Sequence, residues 1–227
     1  MTPIRILVVE DDPAARTLLA ALLPGLAGLS LCGLASDGWE GLELLERTRP
    51  DAVLLDLIMP GLDGLGFLRA LRQTPHRPVV VVTSQASQPG LVRHAISLGA
   101  SYYLVKPINL EALPALLDSL CLGPWVRDGE RLLREMGAAG KGVQAAAVAA
   151  AILARDGDAL LKEAYAPIIA AEHSSYASVE KRIRAMIGRL YPAGGPAERP
   201  SNDVFLRRLA GKLRSGRKSV SQPPDFP

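Results

Sequence analysis

The first 121 residues repeat one pattern five times: a short apolar run rich in β-branched residues, followed by a longer amphipathic stretch. Ile4–Val9 (IRILVV) opens the series, and such a nearly unbroken apolar run suits a parallel strand covered on both faces. Asp12-Pro13 reads as an N-cap followed by proline at the first helical position, where its missing N–H costs nothing. Pro24-Gly25 stops that helix. Further strands are expected at Leu29–Leu34, Asp51–Leu55, Pro78–Val82 and Ser101–Val105. Helices are expected over Asp37–Thr48, Asp63–Gln73 and Gly90–Leu98, and from Asn109 to near Cys121. Five β-α units in so short a span imply a doubly wound, five-stranded parallel sheet of the flavodoxin-like order 2-1-3-4-5.

Gly123-Pro124 breaks this pattern, and 122–126 reads as a linker. From Arg127 to Arg214 the apolar spacing is helical throughout. Helices are expected near 127–136, 141–155, 159–164, 166–172, 177–190 and 202–213, so 127–214 should form a separate all-α domain of about six helices. Residues 215–227 are Ser-, Pro- and Lys/Arg-rich, with too little apolar surface to order themselves. Charge divides the same way. Residues 1–121 carry 9 Lys+Arg against 12 Asp+Glu, whereas 122–227 carry 17 against 11. An acidic half joined to a basic half points to two tasks, one of them involving a polyanion. Ile4–Val9 is too short for a secretory signal and runs straight into acids. Ala145–Ala154 is half the length needed to span a bilayer. No membrane partner is expected, and the expected location is cytoplasmic. Cys32 and Cys121 lie in apolar surroundings without metal-ligand spacing and read as buried thiols in a reducing compartment. His76, His94 and His173 are isolated.

The polar residues of the first half gather at strand ends. Glu10 and Asp11 follow the first strand, Asp56 the third, Thr83 ends the fourth and Lys106 the fifth. In a parallel sheet these ends share one edge, where open α/β proteins bind ligands. Singly, each residue has a duller explanation: a turn Asp, a surface Lys-Pro, a Thr of high β-propensity, an acidic helix cap. Four strand ends carrying this set together point to a site. Three carboxylates crowded together call for a cation, and hard oxygen ligands suit Mg²⁺. Asp56 then becomes the nucleophile for a phosphoryl group, with Lys106 neutralising its oxygens and the Thr83 hydroxyl within reach.

On ILVVEDD (Ile6–Asp12), LLDLIMPGLDG (Leu54–Gly64), VVVVTS (Val79–Ser84) and GASYYLVKP (Gly99–Pro107), residues 1–121 resemble the receiver domains of bacterial two-component systems. The resemblance implies Asp56 as phospho-acceptor, Glu10 and Asp11 as the acidic pair, and Thr83 and Tyr103 as switch residues. It also implies Lys106 as the phosphate-binding lysine and the Ile58 carbonyl as a further metal ligand. The Lys106–Pro107 peptide is commonly cis in this family. The chain would be no enzyme beyond catalysing its own phosphorylation and dephosphorylation.

The second half holds no catalytic constellation. Its informative segment is Ala166–Leu190, where a short helix, a Ser-rich turn and a longer helix make a helix-turn-helix candidate. On the longer helix Val179, Ile183, Met186, Ile187 and Leu190 form one apolar stripe. The opposite face holds Ala177, Ser178, Lys181, Arg184, Ala185 and Gly188, small residues beside long cations, as a helix lying in a major groove requires. From Lys181 to Lys218 there are 11 basic and 2 acidic residues. Through LLREMG (Leu132–Gly137), Gly140–Gly142, KEAYAPIIAAEHSSYASVEKRIRAMI (Lys162–Ile187) and RPSNDVFLRRLAGKLR (Arg199–Arg214), residues 130–214 resemble the output domain of the stage-zero sporulation transcription factor of Firmicutes. That implies a recognition helix at Ala177–Leu190. Candidate DNA contacts are Ser178, Glu180, Lys181, Arg182, Arg184 and Arg189. Ser178 stands where the family has a base-reading arginine, and Ala185 replaces a polar residue. Implied partners are an upstream histidine kinase or phosphotransfer protein, duplex DNA, RNA polymerase, and a second copy of the chain once phosphorylated. The alternative is a receiver whose helical output binds RNA or a protein.

Overall fold

Five parallel strands, β1 (Ile4–Val9), β2 (Leu29–Ala35), β3 (Ala52–Asp56), β4 (Val79–Ser84) and β5 (Tyr102–Val105), form one sheet in the order β2-β1-β3-β4-β5. The structure is a computed structural model and describes residues 2–193 and 197–218. Between the strands run α1 (Pro13–Leu22), α2 (Gly38–Thr48), α3 (Gly64–Leu71) and α4 (Pro89–Ser97), and α5 (Leu113–Glu135) follows β5. Every residue of β3 is buried, which accounts for its unbroken apolar character. Alternation along the strands splits their side chains between two cores. Leu7, Val9, Val53, Leu55, Val80 and Val82 pack with Phe67 and Leu68 of α3. Ile6, Val8, Leu54 and Val81 pack on the other face with Leu113 and Leu117 of α5.

The carboxyl edge of the sheet is fixed by caps. The Asp12 carboxylate accepts from the Ala14 amide, Asp37 from Trp39 and Glu40, and Asp63 from Gly66. Asn109 caps a short 3-10 turn, Leu110–Ala112, ahead of α5. Each cap satisfies amides left unpaired at a helix start, so the loops leaving β1, β2 and β3 are held where they meet the next helix.

Among the described residues the chain divides into two compact units, Pro3–Cys121 and, with Thr2, the residues from Leu122 to Lys218. At that division the structure departs from the sequence reading. The expected linker, 122–126, is helical, and Pro124 lies inside α5. Leu122, Trp125 and Val126 fall at helical spacing and pack against the core of the second unit. That burial outweighs the hydrogen bond that a mid-helix proline removes.

The second unit contains the end of α5, then α6 (Gly142–Arg155), α7 (Leu161–Glu172), α8 (Tyr176–Leu190) and α9 (Asn202–Lys218). Helix α6 is the centre, packed by α7, α8 and α9. Its alanines at 145–147, 149–151 and 154 are all buried, and their small side chains let several helices approach closely. A Cβ on Gly142 would stand 2.6 Å from the Arg182 carbonyl, so α6 meets α8 at a glycine. Among the described residues no helix is long and apolar enough to cross a membrane.

Among the described residues five helices contribute here rather than about six. The helices expected at 159–164 and 166–172 are one, with Pro167 inside it. Ala164, Tyr165 and Ile168 are buried on either side of the proline, and packing of both turns on α6 holds the helix across the missing bond. The expected tail also starts later, since 215–218 belong to α9; residues 219–227 lie outside the described residues.

Asn202, at the start of α9, is a buried polar residue with defined partners. Its Nδ2 donates to the Glu180 carbonyl at 3.0 Å and to the Tyr165 hydroxyl at 3.5 Å. Burial pushes the Tyr165 phenol up to about 12, against the lowering effect of that Asn202 hydrogen bond. Asn202 thus ties α9 to α8 and α7. Replacing it with Ala should destabilise the second unit by about 1–3 kcal/mol, the range for stranding buried polar groups. Urea denaturation followed by circular dichroism checks this, and an unchanged midpoint would contradict it.

Candidate functional site

Glu10 and Asp56 are almost fully buried, a costly placement for two carboxylates unless each has a partner. The partner is Lys106. Its Nζ donates to Glu10 Oε1 at 2.9 Å, to Glu10 Oε2 at 2.7 Å and to Asp56 Oδ2 at 2.5 Å. β1, β3 and β5 deliver the three residues to one point because their ends share an edge. Asp11, partly exposed, completes the group: one oxygen each from Glu10, Asp11 and Asp56 lie within 4.8 Å of one another. Three carboxylates face one ammonium, so the local charge is negative and the donor set is all oxygen. That chemistry suits a hard divalent cation.

The two ionisable partners respond differently to burial. Burial pushes the Glu10 carboxyl above its ordinary range, Lys106 pulls it back by hydrogen bond and charge, and the Asp56 charge adds to the rise. Burial alone would lower Lys106, but its hydrogen bonds to Asp56 and Glu10, with their charges, hold it above the usual lysine value. Lys106 is therefore a fixed positive charge across the physiological range.

Residues 6–118 match the family model described as the response regulator receiver domain. This half of the chain is a response regulator receiver domain. Among curated relatives, a protein-glutamate methylesterase/protein-glutamine glutaminase of Myxococcus xanthus is 44% identical over 111 residues, covering 48% of this chain and 32% of its own. The response regulator MprA of a Mycobacterium species (strain KMS) is 45% identical over 119 residues, covering 52% and 50%. The chain thus spans at most about half the length of these relatives. Among solved structures, the signal receiver domain of NarL from Mycobacterium tuberculosis superposes with a TM-score of 0.50 at 31% identity, covering 53% of this chain and 98% of that one.

The receiver domain brings together most of the residues singled out in its sequence. Thr83 is buried and pairs in register with Asp56 across β3 and β4. Tyr103 is half-buried, and its hydroxyl donates to the Ala86 carbonyl at 2.7 Å, tying β5 to the loop after β4. The Ile58 amide donates to Asp56 Oδ1 at 3.2 Å, and the Ile58 side chain is 64% exposed at the site. The Lys106–Pro107 peptide is cis.

Two contributors escaped the sequence reading. Arg16, one turn into α1, donates from one nitrogen to the carbonyls of both Glu10 and Asp11, each at 2.7 Å. Gly64, the first residue of α3, passes so close to the end of β3 that a Cβ there would lie 2.3 Å from the Asp56 carbonyl and 2.7 Å from Leu57 Cα. The PGLDG stretch could have flagged that glycine, but nothing in sequence spacing marks Arg16.

In the second unit, α7 and α8 are joined by His173, Ser174 and Ser175, with His173 in the left-handed region at φ 47 and closing α7. Ser175 caps α8 by accepting from the Ser178 amide. Val179, Ile183, Met186 and Ile187 are buried as expected, and Leu190 is partly so. Ala177, Ser178, Lys181, Arg184 and Ala185 are exposed. Glu180 is half-buried and pairs with Arg184 at 3.0 Å.

Three residues of this helix have partners within the unit. Arg182 is turned inward and paired with Glu172 of α7, so it braces the two helices. Arg189 donates to the Ala139 carbonyl at 2.8 Å. Gly188 is covered, since a Cβ there would meet the Arg199 guanidinium at 2.9 Å, and Arg199 also donates to the Arg184 carbonyl at 2.6 Å.

Gly64→Ala places a methyl against backbone rather than against a yielding side chain. It should displace the 57–63 loop, lower the melting temperature, and reduce phosphoryl incorporation from acetyl phosphate by at least about tenfold, as expected when a reacting group is displaced by about 1 Å. A variant with parent melting temperature and incorporation would contradict this reading.

Proposed function

We propose that the chain is a phosphorylation-controlled transcriptional regulator: Asp56 of the receiver accepts a phosphoryl group, and the helical unit binds duplex DNA. The observation that carries the first half is the Lys106 ammonium bridging Glu10 and Asp56, with Asp11 beside them. An Asp56 oxygen attacks phosphorus, the O–P bond forms, and the P–N bond to a donor histidine breaks. The departing imidazole keeps that electron pair and takes up a proton. Lys106 neutralises the transferred oxygens. Glu10, Asp11, Asp56 and the Ile58 carbonyl would hold Mg²⁺, which when bound neutralises the phosphoryl oxygens. The donor is a histidine kinase or phosphotransfer protein, and the only chemistry assigned to the chain is its own phosphorylation and dephosphorylation.

The phosphoryl group then has a route outward. Thr83 stands level with Asp56, and a phosphoryl oxygen would draw its hydroxyl. The loop after Thr83 carries Ala86, whose carbonyl holds the Tyr103 hydroxyl. Movement of one side chain is thereby passed to β5, and pairing of two receivers follows.

For the helical unit, support comes from the shape and charge of α8. It follows α7 across a three-residue turn, buries one stripe and leaves Ala177, Ser178, Lys181, Arg184 and Ala185 exposed. Small residues flank two long cations, which suits a helix lying in a major groove. The sporulation-type resemblance of Lys162–Ile187 favours the same helix as reader, with RNA polymerase as the downstream partner.

Asp56→Asn should keep the fold and lose phosphoryl incorporation from acetyl phosphate with Mg²⁺, read by intact mass. Full incorporation in this variant would move the acceptor elsewhere. On the full phosphorylated chain, Arg184→Ala should weaken binding to a duplex selected from random sequence by roughly 1–3 kcal/mol. Its effect on random duplex should be smaller. Arg208→Ala, an exposed cation on α9, should affect both duplexes alike or neither. Fluorescence anisotropy across a salt series reads both. Parent-like binding by Arg184→Ala would show that α8 does not read bases, and tighter binding to single-stranded RNA would favour an RNA-binding output.

A further inference from the structure

We propose that Arg16 is a positioning residue for the cation site, acting through the backbone of Glu10 and Asp11; this rests on reading that site as the Mg²⁺-dependent acceptor centre. Side chains of successive residues in a strand point to opposite faces. Glu10 still belongs to the strand pattern, since its amide donates to the Ala35 carbonyl of β2 at 3.0 Å. On simple alternation, Asp11 would carry its carboxylate away from Glu10. Instead, carboxylate oxygens of both lie within 4.8 Å of each other and of Asp56. The alternation is broken between residues 10 and 11.

Arg16 stands at that break. One of its guanidinium nitrogens, Nη1, reaches the Glu10 carbonyl and the Asp11 carbonyl, each at 2.7 Å. Consecutive carbonyls of an extended chain diverge, so a single nitrogen can hold both only if the backbone turns them to one side. The side chain comes from the right place to do this. Asp12 caps α1, the Arg16 amide closes its first turn on the Asp12 carbonyl, and helical side chains lean toward the N-terminus. Arg16 therefore folds back over the segment that precedes its own helix. Two charge-assisted bonds to carbonyls fix the turn that sets the two acids facing Asp56.

A residue that aims metal ligands typically changes metal affinity by about 10–100-fold when removed. The test uses the full chain and Mg²⁺ alone, titrated by calorimetry, with melting followed by circular dichroism. The parent should bind Mg²⁺ and Asp11→Asn should not. If the parent takes up no Mg²⁺, the reading of the site fails, and the proposal with it.

Given parent binding, Arg16→Met, which keeps the apolar stem, should stay folded and bind Mg²⁺ at least about tenfold more weakly. Saturating Mg²⁺ should restore phosphoryl incorporation. Arg16→Lys, which keeps a charged donor, should recover part of the affinity. A folded Arg16→Met chain with parent affinity overturns the proposal while leaving the site reading intact. Loss of fold in both Arg16→Met and Arg16→Lys also overturns it, because Arg16 would then be a structural residue.

Discussion

One ammonium allows two carboxylates to be buried at the end of a parallel sheet. Glu10 and Asp56 are 3% and 7% exposed, and Lys106 reaches both at hydrogen-bond distance. Without it, each acid would have to be protonated or drawn out toward water. The sheet makes the meeting possible, because β1, β3 and β5 are parallel and their ends coincide. The price of this arrangement is strain-free only if the connecting loops stay out of the way, which is where the glycine at the start of α3 enters. Gly64 lets α3 begin against the Asp56 carbonyl, and the Asp63 cap fixes where that helix starts. Asp56, the loop after it and α3 are one unit.

The helical unit is organised by smallness rather than by charge. Helix α6 presents alanines to α7, α8 and α9, and Gly142 and Gly129 admit close neighbours: a Cβ on Gly129 would lie 3.3 Å from Ala147 Cα. Close packing of backbones leaves little room for side-chain rearrangement. The orientation of α8 is thus set by the centre of the domain, and the buried Asn202 and the Arg182–Glu172 pair add polar specification at its two flanks.

Much of the receiver could be read in its sequence, because each signal there is local. β-branched runs gave the strands, Asp-Pro and Asp-Gly gave the helix starts, and strand ends placed Glu10, Asp11, Asp56, Thr83 and Lys106 on one edge. Arg16 was invisible because its role depends on a side chain curling back onto backbone carbonyls, which leaves no spacing signature. In the helical half the local signals misled. Gly123-Pro124 reads as a break, yet the packing of Leu122, Trp125 and Val126 overrides it. Pro167 divides two helices in sequence, yet burial of Ala164, Tyr165 and Ile168 keeps them one. Propensity is a weak prior wherever a core is available on both sides of the breaker.

Part of the basic run from Lys181 to Lys218 is engaged within the helical unit itself. Arg182 is paired with Glu172, Arg189 holds the Ala139 carbonyl, and Arg199 lies against Gly188 and bonds the Arg184 carbonyl. Arg207 bonds Asp203 and the carbonyls of Gly157 and Ala159. These four arginines brace the helices as donors that carbonyls and carboxylates accept, a task for which the forked guanidinium is well suited. On α8 the cations Lys181 and Arg184 are exposed beside Ala177, Ser178 and Ala185, and Arg189 is exposed near the end of the helix. Base recognition depends on a few side chains held at fixed positions, and net charge contributes mainly sequence-independent attraction to phosphate. On the proposed DNA-binding reading, Arg182, which ties α8 to α7, and Arg199, which bonds the Arg184 carbonyl, would bear on specificity by determining where Lys181 and Arg184 stand.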